Sequence, residues 1–227
     1  MAITVYCVHS ITGLEATFST LIHEEIPGEV KVHHISDESL IRRILARGKM
    51  TKDVRRRFFE NVTAAEQAGA DVIQVTCSSL TPAVACAREL VDIPLFSVDE
   101  PMARRAVEGY KTIGVMATNP GTLNPSSDLL RSIAADEGKR VEIKPVLCEG
   151  AYEALLGGDR TRHDEIVRGY FRDLEKKVDV VVLAQASMAK IIDSLDERDS
   201  ATEVLTSPRL AIKQLAEYLS SSTVDAG

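Results

Sequence analysis

At 227 residues, 44% hydrophobic and 27% charged, the chain can build one large domain or two smaller ones round a shared core. A formal charge of −7 and the lack of a basic cluster argue against a nucleic-acid partner, and no apolar run is long enough for a bilayer. The first residues are too short and uncharged for a signal peptide, and Cys7, Cys77, Cys86 and Cys148 form no CxxC pair, so reduced thiols in a cytoplasm are expected rather than disulfides or zinc.

Apolar β-branched runs alternate with amphipathic stretches along the chain. The first run, 3–8, predicts a strand. Leu14, Phe18, Leu21 and Ile22 then form a helical stripe, with Thr12 and Glu15 spaced as a capping box. A second strand is expected at 30–35. Its His33-His34 pair would point to opposite faces and there is no HExxH, so no metal is expected. Asp37-Glu38-Ser39 reads as a first helical turn, where acids favour the dipole. Val54, Phe58, Val62 and Ala65 mark another helix, closed by Gly69, with Arg55-Arg56-Arg57 as its solvated face. Strands follow at 72–76 and 95–98. A helix near 103–107 ends at Gly109, a strand covers 112–117, and a helix near 129–135 ends at Gly138. A strand at 141–147, a helix near 166–174, strands at 180–184 and 202–205 and a helix near 208–219 complete the series.

Several of these strands are apolar without alternation, as parallel strands covered on both faces are. The expected fold class is α/β, with two pseudo-symmetric lobes, each a roughly four-stranded parallel sheet flanked by helices. The lobes are expected at 1–97 and 98–206, with the terminal segment 207–227 completing the first. A closed eight-stranded barrel is the rival, but about 250 residues is typical of that fold, and an internal repeat opposes it. Residues 70–80 read ADVIQVTCSSL and residues 178–188 read VDVVVLAQASM, at a constant offset of 108. Asp71 falls on Asp179, Ser79 on Ser187 and Cys77 on Gln185. One copy offers a thiol and the other an amide, which can serve as neither acid nor base.

Open α/β sheets bind ligands beyond the carboxyl ends of their strands. The segments there are His9-Ser10-Ile11-Thr12, Cys77-Ser78-Ser79, Thr118-Asn119-Pro120-Gly121-Thr122 and Gln185-Ala186-Ser187. Each is small, polar and followed by a helix, whose free N–H groups suit a carboxylate or phosphate. There is no GxGxxG or GxxxxGK[ST], so no nucleotide cofactor is expected. Cys77 is the leading candidate, because a helix N-terminus and flanking hydroxyls should lower its pKa and favour the thiolate. Cys7 and Cys86 lie in apolar patterns and read as structural. Cys148, beside Glu149, is intermediate. Ser207 and Arg209 follow the last strand and are candidates for the rim of a site. Few aromatic residues are present, so no stacking pocket is suggested.

The segments VTCSS, IGVMATNPGT and VVLAQASM together resemble the aspartate/glutamate racemase superfamily, which includes glutamate, aspartate and hydantoin racemases, maleate isomerase and arylmalonate decarboxylase. The resemblance spans nearly the whole chain. It implies a pseudo-symmetric two-lobe fold with the site between the lobes, no cofactor, and a homodimer or higher assembly. It implies that Cys77 is a catalytic thiol and that Ser78, Ser79, Thr118 and Thr122 bind the substrate carboxylate, with Asn119-Pro120 adding a residue to the threonine loop. His9, Ser10, Asn119, Gln185, Ala186 and Ser187 complete the expected substrate-binding set. Racemases of this kind use two cysteines, and Gln185 stands where the second is expected. Three outcomes stay open: a replacement base (His9, Asp37 or Glu149), one-sided protonation by Cys77 as in a decarboxylase, or addition of the Cys77 thiol to an alkene. A carboxylate-binding protein without catalysis is the rival from another class.

Overall fold

The computed structural model describes residues 2–185, 188, 191 and 202–224. The chain divides into two compact units, Met1–Pro101 with Pro208–Gly227, and Met102–Ser207. The first unit holds β1 (Ile3–His9), β2 (Val30–Ser36), β3 (Val72–Val75) and β4 (Leu95–Ser97), all parallel, in the order β2-β1-β3-β4. The second holds β5 (Thr112–Ala117), β6 (Glu142–Leu147), β7 (Val180–Leu183) and β8 (Glu203–Thr206), also parallel, in the order β6-β5-β7-β8. The α/β reading therefore holds, and each expected strand forms with its ends shifted by no more than a residue or two. β3 and β7 are buried at every position, which explains their unbroken apolar runs.

The repeat extends to backbone detail. Val5 pairs with Val72 and Ile113 with Val180, each pair displaced by 108. Asp71 accepts the Thr4 N–H at 2.7 Å, and Asp179 accepts the Thr112 N–H at 2.7 Å and that of Lys111 at 3.1 Å. Each acid thus ties the start of one central strand to the start of its neighbour.

In the first unit, α1 (Glu15–Glu25) and α9 (Ser207–Val224) cover one sheet face, where Phe18, Ile22, Ala211, Ile212 and Leu215 pack on Val5, Cys7 and Val72. Arg209 bridges Glu24 and Glu25, which fastens α9 to α1. The other face carries α2 (Glu38–Arg47), α3 (Lys52–Gln67) and α4 (Thr81–Arg88), with Leu40, Ile44, Phe58 and Val84 against Val8, Ile73 and Val75. Arg55, Arg56 and Arg57 are exposed on α3, and Gly69 takes the left-handed turn after it at φ 88°.

The capping box at Thr12 does not form. The Thr12 hydroxyl and N–H turn to Glu38, while Glu15 accepts the Gly13 N–H and the Ser36 hydroxyl. Tertiary partners on α2 and β2 outcompete the local pair. In the second unit, α7 (Ala151–Leu156) and α8 (Arg160–Leu174) pack Ala151, Val167, Phe171 and Leu174 on Met116, Val181 and Leu183. α5 (Glu100–Gly109) and α6 (Pro120–Asp136) bury Met102, Ala106, Leu130 and Ile133. Among the described residues no helix is long and apolar enough to cross a membrane.

Candidate active site

β3 stops at Val75, and Cys77 is the residue before a short 3-10 helix (Ser78–Leu80) that runs into α4. Ser10, just beyond β1, donates its hydroxyl to Cys77 Sγ at 2.7 Å. The backbone N–H groups of Ser79 and Leu80 also favour the thiolate. They do not prevail. Burial pushes the Cys77 thiol above its usual range, and the nearby Asp99 charge adds to that. The expected lowered pKa is therefore corrected: desolvation outweighs the helix terminus and the hydroxyl. The resting group is a thiol, ready to give a proton, with donors in place to receive the charge when it does.

Asp99 was not singled out in the sequence. It is buried two residues beyond β4, and its Oδ1 accepts the Ser78 hydroxyl at 3.0 Å. The strand-end rule that selected Cys77 also points to this position. Ser79 is buried beside Ser78.

His9 turns inward. It is fully buried, its Nδ1 meets Thr76 Oγ1 at 2.8 Å, and its Nε2 meets His34 Nδ1 at 2.9 Å. Both ring nitrogens are thus engaged within the first unit, which leaves none for a substrate. Burial, and then the adjacent His34, lower its pKa to about 4, against the opposing pull of Glu15.

In the second unit the matching strand ends carry a matching bond. Thr118 donates its N–H and hydroxyl to Gln185 Oε1 at 2.6 and 2.9 Å. Thr118 is Ser10 displaced by 108 and Gln185 is Cys77 displaced by 108, so the hydroxyl-to-strand-end contact is kept while the thiol is replaced. With its oxygen held, the Gln185 amide can offer N–H donors only. Asn119 precedes α6, Pro120 opens that helix, and Thr122 Oγ1 bonds Asn119 Oδ1 at 3.2 Å. Thr118, Asn119 and Thr122 are all buried. Ala186 and Ser187 lie outside the described residues.

The other candidate bases have different placements. Asp37 caps α2 and binds Ser39, Arg57 and Asn61, so it is a structural acid. Glu149 is exposed, while Cys148 beside it is buried in the α7–α8 core. Arg209 is committed to α1, and Ser207 is buried.

The sequence model of the Asp/Glu/hydantoin racemase family matches residues 14–215. No curated protein matches the chain. Among solved structures, a glutamate racemase isoform from Bacillus anthracis is 19% identical with a TM-score of 0.76, over 97% of this chain and 82% of that one. An allantoin racemase from Klebsiella pneumoniae is 17% identical with a TM-score of 0.69, over 97% and 89%. An aspartate racemase from Picrophilus torridus is 13% identical with a TM-score of 0.71, over 96% and 95%. At these identities the likeness is one of fold.

Proposed function

The chain belongs to the Asp/Glu/hydantoin racemase family, and on that premise we propose that it is a racemase-type isomerase that moves a proton at the carbon next to a carboxylate. It does so without a cofactor, with Cys77 as the acid and base on one face of that carbon and a second group, not assigned, on the other. The observation that carries this reading is the thiol at the end of β3 with the Ser10 hydroxyl on its sulfur. In the forward sense the Cys77 thiolate takes the α-proton and the electron pair spreads onto the carboxylate oxygens as an enolate. Inversion needs a second group to return a proton on the opposite face, and in the reverse sense the Cys77 S–H protonates that carbon from its own face. Ser10 and the Ser79 and Leu80 N–H groups stabilise the thiolate that precedes proton removal and follows proton donation. Ser78, Ser79, Thr118, Asn119, Thr122 and Gln185 are the proposed binding residues, with Gln185 giving an N–H to an anionic oxygen.

Gln185 favours a second reading. An amide replaces the thiol in the second copy, and one-sided chemistry needs only one proton donor. In a decarboxylation the carbon–carboxylate bond breaks, carbon dioxide leaves, its electron pair stays as an enolate, and the Cys77 S–H protonates it. The test is chiral chromatography of single enantiomers of amino acids, hydantoins and hydroxy acids, with substituted malonates followed by carbon dioxide release. Racemisation lost in Cys77→Ala supports the isomerase. Carbon dioxide release lost in the same variant supports the lyase. Activity that survives Cys77→Ala contradicts both.

A further inference from the structure

Beneath α1, three side chains converge from two neighbouring strands. Cys7 and His9 alternate along β1 and so share a face, and His34 is the register partner of Cys7 on β2. The Cys7 sulfur and one ring nitrogen from each histidine all lie within 4.8 Å of one another. We propose that Cys7, His9 and His34 form a binding site for a zinc-like divalent cation. This inference does not rest on the racemase reading.

The hydrogen bonds fix which nitrogens would ligate. Thr76 Oγ1 holds His9 Nδ1 at 2.8 Å, which leaves Nε2 as the ligating atom; with the Thr76 hydroxyl proton on the Val8 carbonyl at 3.2 Å, His9 Nδ1 is the protonated nitrogen. His9 Nε2 is then bare and accepts His34 Nδ1–H at 2.9 Å, and His34 Nε2 accepts the Ser19 hydroxyl at 2.8 Å. A cation needs one change of tautomer. The His34 proton moves to Nε2 and donates to Ser19, which leaves His9 Nε2 and His34 Nδ1 facing the metal with lone pairs. Each imidazole then keeps an outer hydroxyl partner, Thr76 or Ser19, the second-shell arrangement that orients metal-bound histidines.

The protonation chemistry agrees. Burial holds both histidines below their usual pKa, so they are neutral, as ligands must be. Burial raises Cys7 to about 12, which makes it a thiol until a cation replaces its proton. Binding therefore exchanges one S–H proton, released to solvent, for one metal–sulfur bond. Glu15, whose charge acts on both histidines, offsets the added positive charge. Donors about 2.0–2.3 Å from a tetrahedral ion stand roughly 3.3–3.8 Å apart. The two nitrogens open slightly and the sulfur closes by at most about 1.3 Å, a side-chain movement. A sulfur and two imidazoles select zinc over magnesium or calcium.

The test is Co2+ titration of the whole protein, followed by optical spectroscopy and by calorimetry in buffers of different protonation enthalpy. The expected result is one equivalent bound, intense tetrahedral bands, a near-ultraviolet sulfur-to-cobalt band, release of about one proton, and displacement by Zn2+. The sulfur band should be lost in Cys7→Ser and kept in Cys77→Ser. His34→Ala, at a half-buried edge position where folding is less at risk, should weaken binding more than about 100-fold, beyond the usual second-shell loss. Failure to bind one equivalent, a sulfur band that survives Cys7→Ser, or one that is lost in Cys77→Ser would overturn the proposal.

Discussion

The Ser10 hydroxyl donates to the Cys77 sulfur at 2.7 Å, joining residues 67 positions apart at the ends of adjacent strands. This bond favours the thiolate of a group that burial otherwise keeps protonated. Ser10→Ala should raise the Cys77 pKa further. At fixed pH its alkylation rate should fall roughly tenfold, as for loss of a hydrogen bond to a charged group. The pH dependence of iodoacetamide modification, read at Cys77 by mass spectrometry, checks this. An unchanged profile would mean that the bond has no hold on the thiolate.

The four thiols should react in a set order. Cys86 is exposed, Cys77 half-buried, and Cys7 and Cys148 are buried with pKa values pushed to about 12 by desolvation. Alkylation of the metal-free native protein at pH 8 should reach Cys86 first and Cys77 next. Cys7 and Cys148 should be modified only in denaturant. Early modification of Cys148 would contradict its placement beneath α7 and α8.

Much of this was legible in the sequence, because buried parallel strands leave unbroken apolar runs and the repeat of 108 marks equivalent strand ends. Cys77 and Gln185 emerged from that comparison alone. The protonation of Cys77 did not. It depends on how completely the fold excludes water from the thiol, and spacing carries no record of that. Thr12 failed as a cap because Glu38, distant in sequence, offers a better partner. The Cys7–His9–His34 cluster was hidden for a related reason. Adjacent in a strand, His33 and His34 point to opposite faces and chelate nothing as a pair, whereas β2 lays His34 beside Cys7 only through sheet register.

Gly114 marks a close approach inside the second unit. A Cβ there would stand 2.7 Å from Leu174 Cδ2 and 2.9 Å from its Cγ, so Gly114→Ala forces the Leu174 side chain to shift where α8 packs on β5. Such overpacking costs about 1–3 kcal/mol. Denaturant unfolding should show that loss, and Leu174→Ala in the same chain should relieve part of it. Two independent, additive losses would contradict this contact.

Acid should unfold the first unit partly through Asp37. Burial raises its pKa, but bonds from Ser39, Arg57 and Asn61 outweigh this and lower it to about 2, below the ordinary 3.8. A lowered folded pKa gives stability that is present above the ordinary value and lost as pH falls through about 2. Asp37→Asn should cost on the order of 2 kcal/mol at neutral pH. The deficit against the unaltered protein should shrink toward pH 2. A pH-independent deficit would assign the effect to lost contacts rather than to charge.

Gln185→Ala should lower kcat/KM by about 100-fold, the usual effect of removing one donor to a developing oxyanion. The Cys77 alkylation rate should not change, since the Gln185 oxygen is bonded to Thr118 within the second unit. A fall in both would make Gln185 a structural residue.

The most direct measurement of the Cys77 assignment is proton NMR of the protein in D2O with the carboxylate substrate that turns over. The α-hydrogen signal should vanish as deuterium enters, or deuterium should appear at that carbon in a decarboxylated product. Cys77→Ser, folded as judged by circular dichroism, should do neither. Deuterium incorporation at an undiminished rate in Cys77→Ser would show that another group moves the proton and would remove the basis of the account.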